Sequence, residues 1–224
     1  MLFSASYANL ETIVPGIDMN PADINPGGPE PTSATGFTDE PWSGGTTVSI
    51  NGPQWFAGLS KRSVTPPTGL LQSISQITVT YDIRPSQTAS LFAQLHETDL
   101  IIVDANGNRY NGSCQKNNEE GGMWQIVNAQ GNWVDTGFKP GLFTPDVWTP
   151  VSVVYRVNWQ ALTLSVIGIT DGTTPFLIPA ALQNVPAVKN SGWQPNLLDI
   201  QIQDTLIKAG SYTRDMKNIG ISLQ

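Results

Sequence analysis

Histidine and cysteine are almost absent from this chain of 224 residues, which holds one of each. A single cysteine, Cys114, excludes an intrachain disulfide and says nothing in favour of an oxidising compartment. A single histidine, His96, with no cysteine pair, excludes the common zinc-site patterns. Charge is scarce too, at 13% of residues, and the 11 Lys and Arg are dispersed under a net charge of −7. Nucleic-acid binding, which needs clustered cations against phosphate, is therefore not expected. No run reaches the roughly 18 apolar residues of a membrane-spanning helix, so no membrane insertion is expected. Helical periodicity is also missing, and no segment reads as an amphipathic helix. Met1–Ala8 has neither a basic leader nor a long apolar run, so it does not read as an intact signal peptide.

What is present is glycine, proline and alternation. The 21 Gly and 17 Pro are scattered between short apolar–polar alternating segments, the pattern of many strands joined by tight turns. Gln76–Arg84 is the cleanest case, with Ile77, Val79, Tyr81 and Ile83 on one face. Trp148–Val157 and Ala161–Ile169 alternate around Asn158-Trp159-Gln160 and predict a hairpin. Asn106-Gly107 predicts a type I′ hairpin turn. Thr46–Ile50 and Gln54–Leu59 read as two strands around the turn Asn51-Gly52-Pro53, and Leu198–Gln203 and Lys217–Leu223 as two more near the end. Arg109–Gly122 is polar throughout and reads as a loop over one edge. The prolines and glycines of residues 15–31 cannot sit in a central strand. Residues 1–45 are thus expected as an irregular extended N-terminal arm, with a short strand near Leu10–Val14, packed on an all-β antiparallel two-sheet sandwich of residues 46–224.

Candidate site residues begin with the segment Ser90–Asp104. Alternation there puts Phe92, Gln94, His96 and Thr98 on one face and Leu91, Ala93, Leu95 and Glu97 on the other. An imidazole beside an amide either lines a groove or closes a polar gap in a core. For His96 alone, a structural role, half-buried and bonded to a backbone carbonyl, is the expectation. Seven tryptophans offer stacking surfaces for sugar rings, and Trp133 and Trp159, in polar turns, are expected to be exposed. Gln125, Asn128, Asn132, Gln201 and Gln203 supply neutral hydrogen-bonding groups suited to hydroxyls. Asp104, Asn106 and Asn108 match the start of an EF-hand loop. The sixth position, however, is Arg109 and the twelfth Gln115, so the segment reads as a plain turn. No cofactor is expected, with a structural calcium on irregular loops left as an alternative.

Trp148, Val151, Val153 and Tyr155, followed by Asp171-Gly172 and the closing strand Met216–Ser222, resemble the concanavalin A-like and laminin G-like jelly rolls. That resemblance implies two stacked antiparallel sheets, one with a concave face that often holds a saccharide. Gln94-Leu95-His96 and Lys208-Ala209-Gly210-Ser211-Tyr212 further resemble two motifs of alginate-lyase-type polysaccharide lyases. By that resemblance His96 and Tyr212 would exchange the proton of a β-elimination, Gln94 would polarise the uronate carboxylate, and Lys208 would share the ligand-binding face. The family's upstream arginine motif is absent, and Leu206 stands where its second motif begins with tyrosine. Glycoside hydrolysis, by contrast, needs two acids facing a sugar; the jelly-roll hydrolases of the superfamily that this chain resembles place them in a run of three acids on one strand, and no such run is present.

The expected function is glycan binding by a lectin-like jelly roll, with ligand residues Gln94, His96, Lys208, Tyr212, Gln125, Gln201, Gln203 and Trp133. The alternatives are a lyase acting on a uronate polymer and a structural or adhesive surface protein. The expected partner is a polysaccharide or glycan, and the low-charge surface points to an extracellular or cell-surface setting. Oligomeric state is not legible.

Overall fold

The computed structural model describes residues 2–7, 11–12, 37–42, 45–67, 69–86 and 93–224, and side chains at 2–6, 64–67, 69–86, 95–204 and 213–224. The Pro- and Gly-rich segment 15–31 lies outside the described residues, as do the side chains of Gln94, Lys208 and Tyr212.

The described residues form β1 (Phe3–Tyr7), β2 (Glu11–Thr12), β3 (Phe37–Trp42), β4 (Gly45–Ser63), β5 (Gln76–Pro85), β6 (Ala93–Val103) and β7 (Arg109–Asn117). These are followed by β8 (Met123–Val127), β9 (Trp133–Asp135), β10 (Thr149–Asn158), β11 (Thr163–Asp171), β12 (Thr174–Leu177), β13 (Val185–Pro186) and β14 (Leu197–Leu223). Two single-turn 3₁₀ segments, Leu71–Ser73 and Ala180–Leu182, are the described helical structure. No helix among the described residues is long and apolar enough to cross a membrane.

All pairings are antiparallel, in the order β12-β11-β10-β5-β14-β6-β7-β8-β9. The 27-residue β14 joins the two layers of a jelly-roll sandwich. Its Leu197–Leu206 stretch pairs with β6, and its Arg214–Leu223 stretch pairs with β5. Side chains of β5 and β6 then meet face to face, as the 2.7 Å contact between the hydroxyls of Tyr81 and Thr98 shows.

Period-2 alternation explains the core. Ile77, Val79, Tyr81 and Ile83 of β5, Val151, Val153, Tyr155 and Val157 of β10, and Leu164, Val166 and Ile169 of β11 fill one side. Leu100 and Ile102 of β6, Tyr110 and Cys114 of β7, Trp124 and Ile126 of β8, and Leu198, Ile200 and Ile202 of β14 fill the other. Burying these side chains supplies the main drive for folding.

Three expectations from sequence are corrected. Arg109–Asn117 is not a loop over an edge but β7, a buried strand between β6 and β8. It escapes the alternation test because both of its faces carry polar groups. Asn51-Gly52-Pro53 does not separate two strands, since β4 runs through it for 19 residues, with the register against β14 shifting between Leu206 and Gly210. At Asn106-Gly107 only Gly107 has positive φ, at 75°, so the turn is not type I′. The Asp104 carboxylate accepts the backbone N–H groups of Asn106 and Asn108 at 2.8 and 2.9 Å and stabilises a wider loop instead.

Candidate functional site

β6 presents two chemically different faces. On the inner face, His96 is 2% exposed, between the two sheets. Its Nδ1 lies 3.2 Å from Asp204 Oδ1 and its Nε2 3.2 Å from the Tyr81 hydroxyl. Burial is the first cause lowering the His96 pKa below its ordinary value, and the hydrogen bond to Asp204 acts the other way. A neutral ring fits these neighbours. Nδ1–H donates to the carboxylate, and Nε2 accepts from Tyr81. The other oxygen of Asp204 accepts from Arg214, and the Phe143 ring meets the imidazole edge-on at 5.7 Å. Beside this cluster, Lys116 Nζ donates to Asp171 at 2.5 Å, the Trp124 indole N–H donates to the same oxygen at 2.9 Å, and the ammonium sits over the Phe143 ring. Every charge in this interior thus has an opposite charge beside it, the condition for burying ions at acceptable cost.

The outer face of the same sheet carries a polar row. Gln203 of β14, Glu97 of β6, Gln115 of β7, Gln125 of β8 and Asp135 of β9 occupy consecutive cross-strand positions. Four inter-strand spacings of about 4.8 Å make this row about 19 Å long. Gln125 donates to Asp135 Oδ1 at 2.7 Å, and Gln115 donates to Gln125 Oε1 at 2.7 Å. A second row, Gln201, Asp99 and Ser113, lies alongside. Trp133, two residues before Asp135 on β9, shares this face by alternation and is half-buried at its open edge. The rows are buried on β14, β6 and β7 and reach solvent at Gln125 and Asp135.

Glu97 and Asp99, two apart on one strand, interact directly. Burial first, and then the charge of Asp99, push the Glu97 carboxyl well above the usual carboxylate range. Burial raises Asp99 to about 6, against the pull of its hydrogen bonds with Ser113 and Glu97. Two adjacent buried carboxyls of this kind titrate as a pair, both pushed towards the protonated form.

The structure therefore brings Gln125, Gln201, Gln203 and Trp133 onto one face and places His96 on the opposite, inner face. The register sets Asp204 opposite His96, and Ile50 of β4 opposite Tyr212. His96 bonds to side chains rather than to a backbone carbonyl. Trp159, expected to be exposed, donates its indole N–H to the Ile74 carbonyl at 2.6 Å and packs edge-on against Tyr110. Both carboxylate oxygens of Asp104 are engaged inside its turn. Sequence reading missed Glu97, Asp99 and Asp135 as site residues. The Glu97-Thr98-Asp99 spacing, which puts both acids on one strand face, was the available signal for two of them. Gln115 was hidden in the segment read as a loop.

No protein-family model matches the sequence, and no curated protein matches it. Similarity to solved structures is clear in fold. The alginate lyase Aly36B superposes with a TM-score of 0.53 at 13% identity, covering 82% of each chain. A variant of that lyase in complex with an alginate trisaccharide superposes at 0.52 with 13% identity, over 84% of this chain and 87% of the other. The marine PL-14 alginate lyase from Aplysia kurodai superposes at 0.53 with 11% identity, over 84% of this chain and 87% of the other. The chain thus has the two-sheet jelly roll that these alginate lyases have.

Proposed function

We propose that this chain is a carbohydrate-binding jelly roll whose ligand lies along the outer face of β6, β7, β8 and β9. The observation that carries the reading is the hydrogen-bonded row Gln115–Gln125–Asp135, which opens to solvent beside Trp133. Amides and a carboxylate fixed in line answer sugar hydroxyls, and an indole at the rim stacks on the apolar face of a pyranose. An extracellular or cell-surface setting suits such a protein. The lyase alternative draws on the shared fold, but its expected base, His96, is buried with both ring nitrogens engaged. Proton abstraction needs the base within hydrogen-bond reach of the substrate, so binding without turnover is the better supported reading.

Titration calorimetry against a panel of soluble polysaccharides tests it, with the same solutions followed for the absorbance of an unsaturated elimination product. Saturable binding without product is expected, and Trp133→Ala and Gln125→Ala are each expected to weaken it by about tenfold or more, the equivalent of about 1.4 kcal/mol. Product formation would establish the lyase instead. Undiminished binding in both variants would move the ligand off this face.

A further inference from the structure

Resting on the glycan-binding reading, we infer that this face takes an uncharged, hydroxyl-rich glycan and not a polyuronate. Asp135 is a carboxylate and accepts only, so the Gln125 amide must turn its NH₂ towards it. The Gln125 carbonyl then faces β7 and takes the NH₂ of Gln115, which leaves Gln115 Oε1 free. Gln203 bonds to Glu97 from the other side, and its Oε1 is likewise unpartnered. Asp99 Oδ1 and Asn111 Oδ1 also lack hydrogen-bond partners, and Gln201 Nε2 is the one unpartnered donor of these two rows. Gln115 is 4% exposed, and Gln201 and Gln203 are each 2% exposed.

Buried polar atoms left unmade cost free energy, and a concentration of them on one face marks a place where a partner belongs. Within the two rows three acceptors stand against one donor, and Asn111, beside them on β7, adds a fourth acceptor. The partner must be rich in donors. A sugar hydroxyl donates one hydrogen bond and accepts others, so a chain of uncharged pyranoses answers the whole set. A uronate carboxylate offers acceptors alone and would meet the charge of the Glu97–Asp99 pair.

Neutralising that repulsion would need a cation, and none of the described side chains in these rows carries one; the register sets Lys61 of β4, whose side chain lies outside the described residues, next to Gln201. Lys116 and Arg214 point into the sandwich and pair with Asp171 and Asp204. Arg109 stacks on Trp193 at 4.8 Å, six residues along β7 from Gln115 and so about 20 Å away at about 3.4 Å per residue. A metal ion would also answer acceptors. Among the described residues, however, no three acidic, histidine or cysteine side chains are arranged to hold one.

The test is calorimetric titration of the full chain with laminarin, xylan and galactomannan, and with alginate and polygalacturonate, at one pH and ionic strength. Saturable binding is expected for at least one uncharged polymer and for neither polyuronate. Asp99→Asn and Gln115→Leu, each checked for a cooperative unfolding transition, should weaken the uncharged ligand by tenfold or more. Polyuronate binding that Gln125→Ala abolishes would overturn this inference and leave the glycan-binding reading standing. Failure of the wild type to bind any of the polymers would overturn both. Uncharged-polymer binding that survives Asp99→Asn and Gln115→Leu would show that the unpartnered acceptors do not receive it. The wild-type panel decides between the two ligand classes even where a variant does not fold.

Discussion

A chain's sole histidine invites a catalytic reading, yet the residue one peptide further on, Glu97, is the one that lies in the polar row. The two belong to one strand and differ in everything that decides their protonation. His96 is enclosed between sheets and loses proton affinity through desolvation, while Glu97 and Asp99 gain it from the same cause on the other side. Their contributions to stability therefore run in opposite directions with pH. The folded His96 pKa lies below its unfolded value of about 6.5, so its contribution is complete above that pH and is lost as pH falls through and below it. The folded Asp99 pKa, about 6, lies above its unfolded value, so its contribution is complete in acid and is lost as pH rises through about 6. Asp99→Asn removes that loss. The unfolding midpoint of Asp99→Asn relative to wild type is expected to climb between about pH 4 and about pH 6 and to level off above that, whereas the advantage of wild type over His96→Gln should shrink from about pH 7 to about pH 5. Parallel pH profiles for wild type and both variants, followed by circular dichroism, would contradict these assignments.

At the scale of elements, β7 is where sheet geometry and site chemistry meet. Its outward residues Ser113 and Gln115 build the polar rows, and its inward Gly112 lets β10 and β11 pack close. A Cβ at position 112 would come within 2.7 Å of the Tyr155 ring and 2.9 Å of Leu164 Cδ2. Gly112→Ala is therefore expected to cost about 1–3 kcal/mol through overpacking, read from chemical denaturation, with Leu164→Ala in the same chain recovering part of it. An unchanged midpoint would mean that the sheets can part at no cost. The same strand shows why part of the fold was not legible. Ile77–Ile83 of β5 and the β10–β11 hairpin have one apolar and one polar face, so alternation exposes them. In β7 the inward positions include Gly112 and Lys116, the latter made tolerable by Asp171 four strands away in sequence order. No local pattern announces a lysine that is buried by a distant carboxylate. β4 and β14 were read as pieces because their turn residues sit at register shifts inside long strands. Site legibility followed the same rule. Gln125, Gln201, Gln203 and Trp133 were expected from residue type, but which face of β6 carries the polar rows and which packs against β5 is set by the layering of the sandwich.

The whole molecule combines a jelly roll that alginate lyases also have with a face whose described side chains in the two rows are carboxylates, amides and a hydroxyl. The fold comes from the apolar halves of the strands, while the polar halves, to which the proposed ligand preference is assigned, can change without disturbing the core. The net charge of −7 acts in the same direction as the local rows, disfavouring approach of a polyanion. The central claim, that the outer face of β6 to β9 is the ligand surface, is tested most directly by solution NMR of the full chain. The side-chain amide signals of Gln115, Gln125, Gln201 and Gln203 and the indole N–H of Trp133 are followed as a soluble uncharged oligosaccharide is added. Saturable shifts are expected at these signals, while the Trp159 indole, bonded to the Ile74 carbonyl, stays in place. Saturable shifts confined to the outer face of β5 and β10, around Thr80, Asp82 and Ser152, would contradict the account.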